Sequence, residues 1–136
     1  MKTLYLVRHA KSDKGNPLLK DIDRPLNERG YNDAYFMSEL MRRERYVTDV
    51  LITSPAVRAY STALIFLRTF EFGDKQLMLN DMLYEENAEI YIAEIKAMQN
   101  IHNSIMLFAH NPTITEVANI FSDKPVSDFP TSGIIC

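Results

Sequence analysis

The chain has 136 residues, 46% of them hydrophobic and 24% charged, with a formal net charge of −3. Those values fit one soluble globular domain around one core, and the negative balance weighs against a nucleic-acid or membrane-surface binder. The lone cysteine, Cys136, excludes an internal disulfide framework and a paired-cysteine metal site.

Lys2 to Val7 reads as a first strand from its Leu, Tyr and Val content. Its consecutive apolar positions suit burial on both faces, as in parallel sheets. It stops at Arg8-His9, so it delivers a cation and an imidazole to a sheet edge, where open α/β folds bind ligands. The same pair interrupts the only early apolar run, so no signal peptide is expected. No run approaches the ~20 apolar residues of a membrane helix, and a cytoplasmic location is the expectation. Residues 10–25 are polar, carry Gly15, Pro17 and Pro25, and read as a long loop of a kind that is often functional. Asn27 then caps a helix whose buried face is expected at Tyr31, Ala34, Tyr35, Ser38 and Met41. Gly30 weakens its first turn, while Arg42, Arg43 and Arg45 suit its carboxyl end as a solvated terminus.

Val50 to Thr53 is a second buried strand. Ser54-Pro55 reads as the cap and first turn of a helix with Ala59, Ala63, Phe66, Leu67 and Phe70 on one face. A turn around Gly73 leads to a short third strand within 76–80. An irregular acidic stretch from Asp81 to Asn87 carries Glu85 and Glu86, and a helix follows over 88–100. Ser104 to Ala109 is the next buried strand, ending at His110. After Asn111-Pro112, Ile114, Val117, Ala118 and Phe121 match an amphipathic helix. Ser122 to Pro130 is a loop. Thr131 to Cys136 reads as a last strand that stops while still apolar, an abrupt end that fits either a natural short version or a C-terminal truncation. Strands alternate with helices, so the class is α/β with a mostly parallel sheet.

Parallel strands put their carboxyl ends on one edge. Arg8, His9, Ser54, Arg58 and His110 therefore converge there, beside two helix starts whose amides favour anions. The result is a positive site in a negative protein, and arginine forks match phosphate oxygens. Like charge disfavours protonation of a histidine among arginines. A neutral imidazole is a nucleophile. His9 is thus expected to attack phosphorus, with Arg8, Arg58 and His110 neutralising the transferring oxygens. Guanidinium groups then do what a metal would do. Without a P-loop, GxGxxG, HExxH or acidic cluster, no metal and no cofactor is expected. His102, in a polar turn, reads as uninvolved, and Lys11 and Ser12 as residues bordering the site.

Four blocks carry a resemblance: Arg8-His9-Ala10-Lys11-Ser12, Asp23-Arg24-Pro25-Leu26 with Gly30, Thr53-Ser54-Pro55-Ala56-Val57-Arg58-Ala59, and Ala109-His110-Asn111-Pro112. Together they look like the histidine phosphatase, or phosphoglycerate-mutase-like, superfamily, and within it the SixA-type phosphohistidine phosphatases. The resemblance spans nearly the whole chain, so residues 1–136 are expected to form a single histidine phosphatase-like domain. It implies a three-layer α/β/α fold, a phosphohistidine intermediate on His9, and phosphate-binding roles for Arg8, Arg58 and His110. It gives Thr62 a structural role. Ala10 and Ala109 stand where the wider family has glycine, which points to the SixA-like branch. Glu85 is the nearest match to the family's general acid, and a solvated loop carboxylate is an equal reading.

An imidazole leaving group, with pKa near ~6.5 against ~15.7 for water as a proxy for an alcohol, needs little help from an acid. The first expectation is therefore a phosphatase that removes phosphate from phosphohistidine in a protein, such as the histidine-containing phosphotransfer domain the resemblance implies. The alternatives are a phosphatase of small phosphate esters and a phosphate-binding module without turnover.

Overall fold

Four apolar segments pair in parallel because helices cover both of their faces and leave no face for water. The computed structural model describes residues 1–136. Its strands are β1 (Thr3–Arg8), β2 (Val50–Thr53), β3 (Leu77–Leu79), β4 (Ser104–Ala109) and β5 (Ile134–Ile135). The helices are α1 (Glu28–Arg43), α2 (Val57–Thr69), α3 (Ala88–Gln99) and α4 (Thr113–Phe121). The strand order is β3-β2-β4-β1-β5, and only β5 runs antiparallel. No helix is long and apolar enough to cross a membrane.

Side-chain alternation sorts the sheet into two cores. Tyr5, Val7, Leu51, Met106 and Phe108 face α1 and α2, where they meet Met41, Ala63, Phe66 and Leu67. Leu6, Val50, Ile52, Ile105 and Leu107 face α3 and α4, where they meet Tyr91, Ile95, Met98, Ile114 and Val117. The result is the three-layer α/β/α fold expected from the sequence. Each fully buried large side chain in these layers contributes roughly 1.5–3 kcal/mol.

The topology explains where the site must lie. From β1 the chain leaves over one face through α1, and from adjacent β4 it leaves over the other face through α4. Two neighbouring strands whose exits diverge open a crevice at their carboxyl ends. The register Arg8↔Ala109 brings the residues after both strands, His9 and His110, side by side.

Several local expectations are corrected by packing. Asn27 does cap α1, its side chain accepting from the Gly30 amide. The buried stripe of α1, however, is Gly30, Ala34, Ser38 and Met41, while Tyr31 and Tyr35 are exposed. Small residues win because α1 lies close against its neighbours: Ser38 bonds Thr69 of α2 through their hydroxyls at 2.8 Å. A Cβ on Gly30 would sit 2.1 Å from the Lys11 carbonyl oxygen. The glycine that weakens the helix locally is what lets it approach the loop after β1.

Ser54 does not cap α2, which starts at Val57 behind Ala56 and has no side-chain cap. Its hydroxyl accepts from the Ala56 amide at 3.2 Å, ahead of the helix, and also bonds His110 Nε2 at 2.8 Å. Phe121, expected on the buried face, ends α4 exposed. Within 131–136 only Ile134 and Ile135 form a strand, since Ser132 adopts a left-handed φ of 64° and turns the chain. Asp81–Tyr84 and Asp21–Asp23 form short 3-10 turns within stretches read as irregular.

Candidate active site

At the carboxyl ends of β1, β2 and β4 lies a cavity of about 650 Å³, lined almost entirely by polar and charged side chains. Arg8, His9, Arg58 and His110 all line it, as the strand-end argument required, and Glu85 joins them at its wall. Arg24, Asp21 and Tyr84 line it too. None of these three has a role readable from the sequence, although Arg24 lies inside one of the four blocks.

His9 is fixed by its own backbone. Its Nδ1 lies 2.7 Å from the Ala10 carbonyl oxygen. A carbonyl only accepts, so Nδ1 carries the proton and Nε2 keeps its lone pair. Ala10 is held in turn, its amide donating to the Thr62 hydroxyl at 3.0 Å. Thr62 donates to the Arg58 carbonyl at 2.7 Å. Thr62 thus serves the frame, tying the loop after β1 to the first turn of α2, which carries Arg58.

His110 packs beside His9 with ring centroids 5.3 Å apart, and its Nε2 bonds the Ser54 hydroxyl at 2.8 Å. Its Nδ1 is buried and has no protein partner. The Nε atoms of Arg8 and Arg58 are in the same condition. Buried polar atoms without partners are costly, so three of them around one cavity mark the place of a ligand rich in acceptor oxygens. Arg8 is steadied by donating from Nη1 to the Phe129 carbonyl at 3.0 Å. The Ser132 amide donates to the carbonyls of Arg8 and His9, clamping the end of β1.

Both imidazoles are held neutral. Burial pushes the His9 pKa down to about 4, with Arg58, Arg8 and Arg24 adding to the effect and the bond to Ala10 opposing it. Burial pushes His110 down to about 3, helped by Arg58 and His9 and opposed by Asp21. Like charge was the cause expected from the sequence; here it comes second to desolvation.

A pH dependence follows. The unfolded chain takes up these two protons below about pH 6.5, whereas the fold refuses them until nearer pH 4, so stability falls with pH across that window. Between about pH 7.5 and pH 5 the loss should be on the order of 2 kcal/mol per histidine. Urea unfolding at both pH values checks this; a His9→Gln/His110→Asn variant should show a much flatter dependence.

The remaining expected residues fall at the margin. Ser12 accepts from Arg24 Nη1 at 2.8 Å, so it supports an arginine and is itself buried. Lys11 is exposed at the cavity wall. Glu85 is exposed and its carboxylate makes no hydrogen bond. His102 lies outside the cavity, its carbonyl accepting from Lys2.

Known proteins share this arrangement of chain and fold. A family model described as the histidine phosphatase superfamily (branch 1) matches residues 4–91. A protein from Agrobacterium tumefaciens, provisionally assigned as the phosphohistidine phosphatase SixA, is 33% identical. It superposes with a TM-score of 0.87 over 96% of this chain and 86% of that one. The protein histidine phosphatase SixA solved with tungstate shares the fold, at 18% identity and a TM-score of 0.84 over 96% of this chain and 84% of that one. An uncharacterised protein of Mycobacterium leprae is 29% identical over 140 residues, covering 94% of this chain and 84% of its own length.

Proposed function

The chain belongs to the histidine phosphatase superfamily, and on that footing we propose that it is a metal-independent phosphatase working through a phosphohistidine on His9, with phosphohistidine in a protein as its substrate. One observation carries the reading. The bond from His9 Nδ1 to the Ala10 carbonyl leaves Nε2 as a lone-pair nucleophile in a cavity lined by Arg8, Arg24 and Arg58.

Nε2 attacks phosphorus as the bond to the leaving nitrogen breaks. The leaving ring departs as neutral imidazole when its distal nitrogen is already protonated, so the enzyme need not supply a proton. Water then attacks the phosphorus on His9, the P–Nε2 bond breaks, and inorganic phosphate leaves with Nε2 restored. Arg8, Arg58 and the unpartnered Nδ1 side of His110 balance charge on the equatorial oxygens during both steps.

The substrate class rests on the wall of the cavity. Sites for small organic ligands are mostly apolar with a few polar groups, whereas this one is almost wholly polar and charged. It provides for a phosphoryl group and little for an alcohol skeleton. The exposed, unpartnered Glu85 fits a reaction that does not depend on an acid. The second reading, a phosphatase of small phosphate esters with Glu85 as general acid, draws on the presence of that carboxylate at the same cavity.

Turnover of a phosphorylated phosphotransfer domain and of glycerol phosphate, by wild type and Glu85→Gln, decides between them. The proposal expects the phosphohistidine to be cleaved at least ~100-fold more efficiently, with Glu85→Gln within about threefold of wild type on it. Efficient cleavage of the ester, abolished by Glu85→Gln, would establish the second reading.

A further inference from the structure

Asp21 is the one acidic residue that reaches into the donors of the cationic cavity. Its Oδ1 accepts from Arg24 Nε at 3.2 Å and Nη2 at 3.0 Å. Its Oδ2 accepts from Arg58 Nη2 at 3.0 Å and from the Tyr84 hydroxyl at 2.8 Å. Its backbone carbonyl accepts from Arg58 Nη1 at 2.7 Å. Two oxygens thus engage two guanidinium groups and a phenol, in the fork pattern by which arginines hold phosphate oxygens. Yet the Asp21 side chain is 55% exposed, so it is not locked into the core. Burial alone would raise its pKa, but the bonds from Tyr84, Arg24 and Arg58 outweigh it and hold the carboxyl well below the usual range. It is a fixed negative charge.

The donors of the cavity therefore divide in two. Arg8 Nε, Arg58 Nε and His110 Nδ1 have no protein partner, while the outer faces of Arg24 and Arg58 already share an anion. A second anion entering the cavity gains the first set and meets repulsion from Asp21. That repulsion scales with the charge of the newcomer. Free phosphate near neutral pH is divided between monoanion and dianion, and the dianion meets the larger repulsion. A phosphohistidine with a protonated ring carries one net negative charge fewer.

We propose that Asp21 is a specificity-determining residue of the phosphatase reaction: as a resident anion on Arg24 and Arg58 its carboxylate keeps the product phosphate weakly bound, and this effect outweighs the support it gives the two guanidinium groups. This rests on the phosphatase reading above. Removing a carboxylate from a cluster of arginines has opposite consequences for its two roles. As a strut, its loss would loosen the arginines and weaken oxyanion binding. As a resident anion, its loss would tighten oxyanion binding and slow product release.

The test is calorimetric titration of inorganic phosphate into wild type, Asp21→Asn and Asp21→Ala, alongside steady-state turnover of the phosphohistidine protein with phosphate as inhibitor. The proposal expects a folded variant to bind phosphate at least tenfold more tightly than wild type, its inhibition constant to fall in parallel, and its kcat to drop more than its kcat/KM. Phosphate bound equally or more weakly overturns it. Failure of both variants to fold also overturns it, because Asp21 would then belong to the framework. A wild type that binds phosphate and turns over neither substrate would sink the phosphatase reading instead, while the calorimetry still decides the role of Asp21.

Discussion

Replacing His9 by alanine is expected to lower turnover of every phosphorylated substrate by at least ~10⁴-fold while leaving the fold intact. The loss is large because no other group can form the covalent bond from the same place. His110, the remaining imidazole, has its Nε2 engaged by Ser54 and its Nδ1 buried. The fold should survive because His9 faces a cavity rather than a core cluster, and the strand end is held independently by Ser132 and Ala109 through backbone bonds. Two measurements check it. Turnover should vanish in the variant, and wild type quenched into alkali during turnover should carry a phosphoryl group on the peptide containing His9. A variant that keeps its turnover would move the nucleophile elsewhere and end the covalent reading.

Arg58→Ala should cost about 10²–10³-fold in kcat/KM, the range for loss of a preorganised donor to developing charge. Arg58 is only 6% exposed, and its Nε lacks any protein partner. Lysine should not rescue it, since a single ammonium cannot reproduce a planar fork. The pH profile separates electrostatics from simple support. In wild type, kcat/KM should fall as pH drops through about 4, where His9 takes up a proton. Arg58 lowers the pKa of both histidines. Its removal makes protonation easier, so the acid limb should move to higher pH. A variant slowed without that movement would show that Arg58 only supports its neighbours.

The sequence carried the strand ends well, because burial on two faces writes an apolar run that stops where the sheet stops. Val7 to His9 and Ala109 to His110 are such stops, and the parallel sheet places them together with no further information. The helix of 28–43 was legible in extent but not in orientation. Apolar spacing points the stripe through Tyr31 and Tyr35, whereas contact with the Lys11 backbone and with Thr69 demands the small residues Gly30 and Ser38. Hydrophobicity predicts which residues can be buried; the spacing between neighbouring elements decides which ones are. Ser54 shows the same limit, since its hydroxyl turns the chain at the Ala56 amide and meets a histidine 56 residues away, and does not cap α2 itself.

By itself, the sequence determined the α/β class, the edge on which Arg8, His9, Arg58 and His110 meet, and the phosphoryl chemistry that this set of groups suits. Local period, composition and strand endings suffice for these, because each depends on residues adjacent along the chain. Only the tertiary structure brought Asp21 to Arg58 across 37 residues and Tyr84 to Asp21 across 63. It also made burial, ahead of the arginines, the main cause of the neutral imidazoles. Such pairings rest on distances between loops, and desolvation rests on what packs around a ring; neither leaves a periodic trace in the order of amino acids.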